Sequence, residues 1–77
     1  MSQNPQIVNA GLRDSLLPRR EVERRVGLKR SAIYARMARG MFPMPIHDTE
    51  GATVWWLESE VSAWVQERID ATRKQAA

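Results

Sequence analysis

Residues 28–45, LKRSAIYARMARGMFPMP, combine a helix-like spacing of apolar side chains with an abrupt stop at two prolines. Ile33 and Met37 are four residues apart and therefore share one face of a helix, which we predict over residues 30–39. Gly40 is a natural end for this helix, because glycine adopts the left-handed backbone conformation that often follows a helix. The face opposite to the apolar one carries Ser31, Tyr34 and Ala35. The stretch thus predicts a helix with separate apolar and polar faces.

The residues just before this helix predict another short one, over residues 18–26. Pro18 suits the first turn, where its missing N–H costs nothing. Val22 and Val26 lie one turn apart on one face, and Gly27 supplies the stop. Two short helices joined by a tight, glycine-containing turn are typical of a helix-turn-helix motif.

The chain after the second helix predicts a corner, a β-hairpin and a long helix. The prolines of FPMP enforce an extended backbone, and we expect Phe42 to fill the core beneath this corner. Ile46-His47 and residues 53–56 are short strand-like segments on either side of a glycine-bearing loop. In the last segment, apolar residues recur at helical spacing at Val61, Trp64, Val65 and Ile69.

Together these elements predict a mainly α fold with a small β-hairpin, which is a winged helix-turn-helix. Before the first helix, we expect a short extended piece that places Leu16 and Leu17 in the core. After about residue 72, we expect the last helix to fray. The predicted organisation is a flexible N-terminal arm (1–13), a winged helix-turn-helix domain (14–72) and a frayed tail (73–77).

The net charge of the 77-residue chain is +3, but it is unevenly placed. Residues 13–40 hold nine cationic side chains against three acidic ones, a net charge of +6, whereas residues 41–77 sum to −3. A basic half is the electrostatic signature of a protein that binds a polyanion. The alternative, open at this point, is a solvated helical surface that uses arginine.

Several classes of function find no support in the composition. With no cysteine and with His47 as the only histidine, the chain lacks the usual ligands of a structural zinc site. It has no glycine-rich phosphate loop or nucleophile motif, and Glu58 and Glu60 point in different directions on a helix. We therefore expect no enzyme, no cofactor and no metal. Because the chain shows neither a signal peptide nor a membrane-spanning run, a cytoplasmic protein without a membrane partner is the simplest interpretation.

Motifs spread over residues 14–70 follow one ordered pattern. They are Leu16-Leu17, Glu21-Val22, Gly27-Leu28, Ser31-x-Ile33-Tyr34, Gly40-x-Phe42-Pro43-x-Pro45 and Trp56-Leu57-x-x-Glu60-Val61-x-x-Trp64. This set resembles the AlpA family of phage and prophage regulators, which is similar in fold to lambda-type excisionases and to the DNA-binding domain of MerR-type regulators. The resemblance implies a winged helix-turn-helix that binds double-stranded DNA, in a bacterial protein that is nucleoid-associated when DNA-bound.

Four features depart from the family pattern. Lys29 stands at the usual N-cap serine of the recognition helix, and Ala35 stands where the family often has arginine. The wing carries Asp48 and Glu50 and no cation, and Trp55 replaces the family's glycine. We expect the first two departures to alter sequence preference, and the acidic wing to change the usual contact with the minor groove or with phosphate.

The predicted DNA contacts lie on the two short helices. The N-terminal half of the second helix is the part expected to enter the major groove, with Arg30, Ser31 and Ala35 facing base edges. Tyr34 and Lys29 are expected to hold phosphate, which positions a protein without reading sequence. The other predicted contacts are Arg19, Arg20 and Arg24, which would also hold phosphate, and Arg36 and Arg39, which fit either role.

Structural alternatives exist for several of these residues. Tyr34 has the alternative of covering the rim of the core, and Arg24 and Arg25 that of pairing with Glu21 on their own helix. Trp55 lies opposite the core-facing Trp56 in strand alternation. An exposed Trp55 would touch the DNA backbone, meet a neighbouring protomer or lie flat on the protein's own surface.

The function predicted from the sequence is sequence-specific DNA binding by an AlpA-like transcriptional regulator of a phage, prophage or other mobile element. The first alternative is an excisionase, which bends DNA beside an integrase. One such unit offers few base contacts, so we expect self-association on DNA or a partner such as an integrase or the transcription machinery. The second alternative is a protein-interaction module that docks through the acidic wing and Trp55 and binds DNA weakly.

Overall fold

The computed structural model describes residues 14–76 of the chain, which form three strands and three helices. The predicted N-terminal arm lies outside this part. The elements are β1 (Leu16–Pro18), α1 (Arg19–Val26), α2 (Arg30–Ala38), β2 (Ile46–His47), β3 (Val54–Leu57) and α3 (Glu58–Ala76).

The turn between α1 and α2 is set by local backbone chemistry. Gly27 ends α1 with a φ of 72°, and its N–H donates to the carbonyl of Glu23 at 2.9 Å. Lys29 then stands at the N-cap of α2, and Gly40, with a φ of 69°, follows its C-terminal end. Both helices therefore begin and end within a residue or so of the predicted positions. Pro18 differs, since it is the N-cap of α1 rather than part of its first turn.

The three strands form one antiparallel sheet in the order β1-β3-β2. The pairing of Ile46 with Trp55 and of His47 with Val54 confirms the predicted hairpin. Pairing of β1 with β3 adds a third strand, because the extended piece before α1 lies against the residues just before α3. With this small sheet beside its helices, the domain is a winged helix-turn-helix.

The core is formed by one buried side chain from each element except β2, together with one from the corner between α2 and β2. Its buried members are Leu17, Val22, Ile33, Phe42, Trp56 and Val61. The predicted burial of Phe42 is thus confirmed, but that of Leu16 is wrong, since this residue is 50% exposed. Successive residues of a strand point to opposite faces of the sheet, so β1 can place only one of its two leucines in the core.

Two tryptophans hold the corner between α2 and β2. The indole N–H of Trp56 donates to the carbonyl of Pro43 at 2.9 Å, and that of Trp64 donates to the carbonyl of Met41 at 3.0 Å. The rings of Phe42 and Trp64 meet edge to face, with 5.0 Å between their centroids. These contacts fix where α2 ends relative to α3.

The N-terminus of α3 is capped by residues that lie before β1. The carboxylate of Asp14 accepts hydrogen bonds from the N–H of Ser59 at 3.0 Å and from its hydroxyl at 2.6 Å. These bonds lower the pKa of Asp14. The N–H of Glu58 donates to the carbonyl of Ser15 at 2.9 Å. At its other end, α3 continues to Ala76.

Candidate nucleic-acid interface

Helix α2 turns one face to the core and another to solvent. Ile33 is fully buried, and Met37 packs against the core from the same side. With about 100° of rotation per residue, Ser31, Ala35 and Arg39 fall on the opposite side, and all three are exposed. We call these three residues the outer face of α2. The predicted polar face is therefore confirmed for Ser31 and Ala35, but the placement of Tyr34 on it is wrong, since Tyr34 packs against the core.

One flank of the outer face carries Arg30 and Tyr34. The guanidinium carbon of Arg30 lies 5.6 Å from the centroid of the Tyr34 ring, within the range of a cation–π contact. Tyr34 is half-buried and meets Trp56 edge to face, with 6.4 Å between the centroids. The alternative that Tyr34 covers the rim of the core is thus correct, and the ring also orients the exposed Arg30.

The other flank carries Arg36, which turns away from the outer face. Its guanidinium carbon lies 5.9 Å from the centroid of the Trp64 ring on α3. Arg36 therefore belongs to the junction of α2 and α3, whereas Arg39 at the end of α2 stays exposed beside Ala35.

The N-terminus of α2 is open to solvent. Lys29 occupies the N-cap without a side-chain hydrogen bond to the helix, and it is exposed, as are Arg30 and Ser31. The first N–H groups of a helix and its dipole favour an anion at this end. A lysine and an arginine at the same end add full positive charges to that preference.

Helix α1 neutralises most of its own arginines. Arg19 bonds to Glu23 at 3.0 Å, and Glu21 binds both Arg24, at 3.0 Å, and Arg25, at 2.7 Å. The bonds from Arg24 and Arg25 lower the pKa of Glu21 to about 2. The alternative that Arg24 and Arg25 pair with Glu21 is therefore what the structure shows.

Arg25 also links α1 to the start of α3, through a bond of 2.6 Å to Glu58. The pairs within α1 were predictable from their spacing of three or four residues, whereas no sequence pattern predicts this contact between distant residues. Within residues 14–75, four of the predicted contact cations have neither an ion pair nor a role at the α2–α3 junction. They are Arg20, Lys29, Arg30 and Arg39.

The loop between β2 and β3, the wing, is acidic and closed by its own hydrogen bonds. The N–H of Asp48 donates to the carbonyl of Thr53 at 3.0 Å, and the N–H of Glu50 donates to the Asp48 carboxylate at 3.1 Å. Two carboxylates thus stand where a phosphate-binding wing would carry cations.

Trp55 lies on the sheet face opposite to Trp56. It is half-buried, in register with Pro18 on one side and with Ile46 on the other. The ring is therefore partly covered by its own domain, which favours the alternative that it lies on the protein's own surface.

Residues 14–75 contain no group of three or more histidine or acidic side chains placed to hold a metal ion. None of the described helices combines the length and the apolar character needed to cross a membrane.

Comparison with known proteins points to one family. The family model described as Prophage CP4-57 regulatory protein (AlpA) matches residues 15–69. A curated relative, the uncharacterized protein ORF88 of Enterobacteria phage P4, is 47% identical over 55 residues. The match covers 71% of this chain and 60% of the relative. No solved structure matches the chain.

Proposed function

The chain belongs to the AlpA family of prophage regulatory proteins, and we propose that it is a sequence-specific DNA-binding regulator that inserts α2 into the major groove. The proposal includes its role as a transcriptional regulator of a phage, prophage or other mobile element. The outer face of α2 is the observation that carries it: exposed, free of bulky apolar groups and flanked by cations on a helix whose other side is fixed in the core.

The N-terminal half of α2 reads the bases in this proposal. The major groove admits one α-helix, and the small side chains of Ser31 and Ala35 allow the helix backbone to approach the base edges closely. Ser31 offers a hydroxyl to several bases, Ala35 a methyl contact to thymine, and Arg30 a bidentate pair to guanine. The stacking of Arg30 on Tyr34 limits the freedom of the guanidinium before DNA arrives, which reduces the entropy lost on binding.

Phosphate contacts fall mainly to the cations that have no ion pair within residues 14–75. Lys29 at the N-terminus of α2 is the first of them, because the helix dipole favours an anion at the same place. Arg20 and Arg39 extend the basic surface along α1 and beyond the end of α2. Arg19 and Arg24 contribute less, since each already bonds to a glutamate of α1.

We assign two of the predicted contact residues a different role from the one expected from the sequence. Arg36 lies against Trp64 and away from the outer face of α2, so we assign it no base contact. Tyr34 acts chiefly by orienting Arg30. The acidic wing is repelled by phosphate, and we propose that it stands away from the DNA backbone.

The experiment that tests the function is selection of bound fragments from the source genome by the purified protein. We expect enrichment of one locus, with sites that overlap a promoter. Sites in one orientation beside an element boundary would assign the excisionase alternative instead. Weak binding without enrichment would refute sequence-specific binding and favour the protein-interaction module.

A pair of serine variants ties the result to α2. Ser31→Glu places a carboxylate on the outer face of α2, where we expect it to abolish enrichment. Ser62→Glu makes the same change at an exposed position of α3 and serves as the matched control. Equal binding by the two variants, both with an unchanged circular dichroism spectrum, would refute the placement of α2 in the groove.

A further inference from the structure

A groove between the corner and α3 lies outside the proposed DNA-binding surface. It has a volume of about 710 Å³ and is walled by the Met41–Met44 corner and by α3 from Glu60 to Ala71. Met41 and Met44 are 52% and 63% exposed. Exposed methionines are adaptable contact groups for a partner surface, because their side chains are flexible and polarizable. The groove lies off the outer face of α2, so it stays accessible when that face is occupied.

Trp64 lines the groove, and two guanidinium groups flank its ring. The guanidinium carbons of Arg36 and Arg68 lie 5.9 Å and 5.6 Å from the ring centroid. Glu60 and Glu67 line the same groove, so the four charges sum to zero. None of the four has an ion-pair partner within residues 14–75. A surface that holds both signs in equal number can pair with a copy of itself about a two-fold axis, where each acid meets a base.

We propose that this groove is the interface of a homodimer, in which the α3 helices of two copies pair antiparallel across a two-fold axis between Glu67 and Arg68. This register places Glu67 opposite the partner's Arg68. It also places the large Trp64 opposite the partner's Ala71, where the small side chain leaves room for the indole ring. Charge and size thus match in one register.

The length of α3 makes this pairing possible. The helix has 19 residues and is about 28 Å long, and its side chains from Gln66 to Gln75 are all exposed. Packing supplies most of the stability of helices in proteins. In the dimer, the C-terminal half of each α3 lies in the groove of the other copy and gains that packing.

Sedimentation equilibrium of the full chain without DNA tests the proposal independently of DNA binding. We expect a reversible monomer–dimer equilibrium. Arg68→Glu turns both symmetry-related contacts into like-charge contacts, and should weaken the dimer about tenfold or more. Glu67→Arg should act in the same way. The double variant E67R/R68E exchanges the two charges and should restore the wild-type dissociation constant.

Arg73→Glu is the matched control, since it makes the same charge reversal on the other side of α3 and should leave the dimer unchanged. Four results would overturn the proposal: a wild-type chain that stays monomeric, a dimer insensitive to Arg68→Glu, a failure of the double variant to restore it, or equal weakening by Arg73→Glu. All of these positions are exposed, so the variants should keep the circular dichroism spectrum of the wild type.

A distance between spin labels tests whether the two α3 helices of the dimer are antiparallel. The chain has no cysteine, so Gln75→Cys provides a single site for a spin label. In the antiparallel register the two labels are separated by about 22 Å along the helix axis, whereas a parallel pair would hold them within about 10 Å. A short distance would overturn the proposed register.

Discussion

Replacement of Lys29 by alanine should change how DNA binding depends on salt. Each phosphate neutralised by a protein cation releases counterions and contributes about −0.9 to the slope of log K against log salt concentration. Among the cations proposed to contact phosphate, Arg20, Lys29 and Arg39 have no ion pair within residues 14–75. Three such contacts give a slope of about −2.7 per protomer. Without Lys29, the slope should become shallower, at about −1.8.

Arg24→Ala is the matched control for this change. It also removes one positive charge from an exposed position, and the Arg24 side chain is 70% exposed. Its guanidinium already bonds to Glu21, so its loss should leave the slope near −2.7. If Arg19 and Arg24 contacted phosphate as fully as the other three cations, the wild-type slope would be about −4.5.

Fluorescence anisotropy of a labelled duplex carrying the selected site, titrated at several salt concentrations, gives these slopes. Two results would contradict these phosphate contacts: an unchanged slope for Lys29→Ala, or a slope shallower by about 0.9 for Arg24→Ala. The first would remove the N-terminus of α2 from the phosphate backbone. The second would show that ion pairing within α1 does not withhold an arginine from DNA.

Three further predictions concern the fold that positions α2. Phe42→Ala should lower the free energy of unfolding by about 3–4 kcal/mol in urea denaturation, because it empties a buried site in the core. Gly40→Ala should cost about 1 kcal/mol by the same assay, since the φ of 69° is unfavourable for alanine although no atom crowds the position. The wild type should lose stability as the pH falls from about 4.5 towards 2. Folding lowers the pKa of Glu21 from 4.5 to about 2, and the ion pairs of this carboxylate stabilise the protein only while it is charged. In thermal melts, Glu21→Gln should flatten this part of the pH profile, and an identical profile would show that the carboxylate is not held by the arginines.

The elements of the fold that sequence analysis predicts best are those with local signals. The ends of α1 and α2 follow from Gly27 and Gly40, because a left-handed residue after a helix is a property of the chain at that point. The hairpin follows from two short strand-like segments around a glycine-bearing loop. The burial of the Ile33 side chain in the core was predictable from the spacing of apolar residues alone.

The features that sequence analysis missed depend on residues far apart in the chain. Asp14 caps α3 by bonding to Ser59, which is 45 residues away in the sequence. Strand β1 pairs with β3 over a similar separation. No periodicity or capping signal within one segment reports such contacts. The exposure of Leu16 belongs to the same group, since only the pairing of β1 decides which leucine faces the core.

The candidate site was predictable where it depends on local signals and not where it depends on contacts between distant residues. The outer face of α2 is a consequence of helical periodicity, and the ion pairs of Glu21 follow from spacings of three and four residues. The position of Arg36 was not predictable, because its contact with Trp64 depends on how the corner places α2 beside α3. The roles of these residues in DNA binding stay predictions.

Dimethyl sulfate interference on the selected site tests most directly whether α2 enters the major groove. This reagent methylates guanine at N7 in the major groove and adenine at N3 in the minor groove. We expect interference at guanine N7, with loss of one such position in Arg30→Ala. Interference confined to adenine N3 would contradict this expectation.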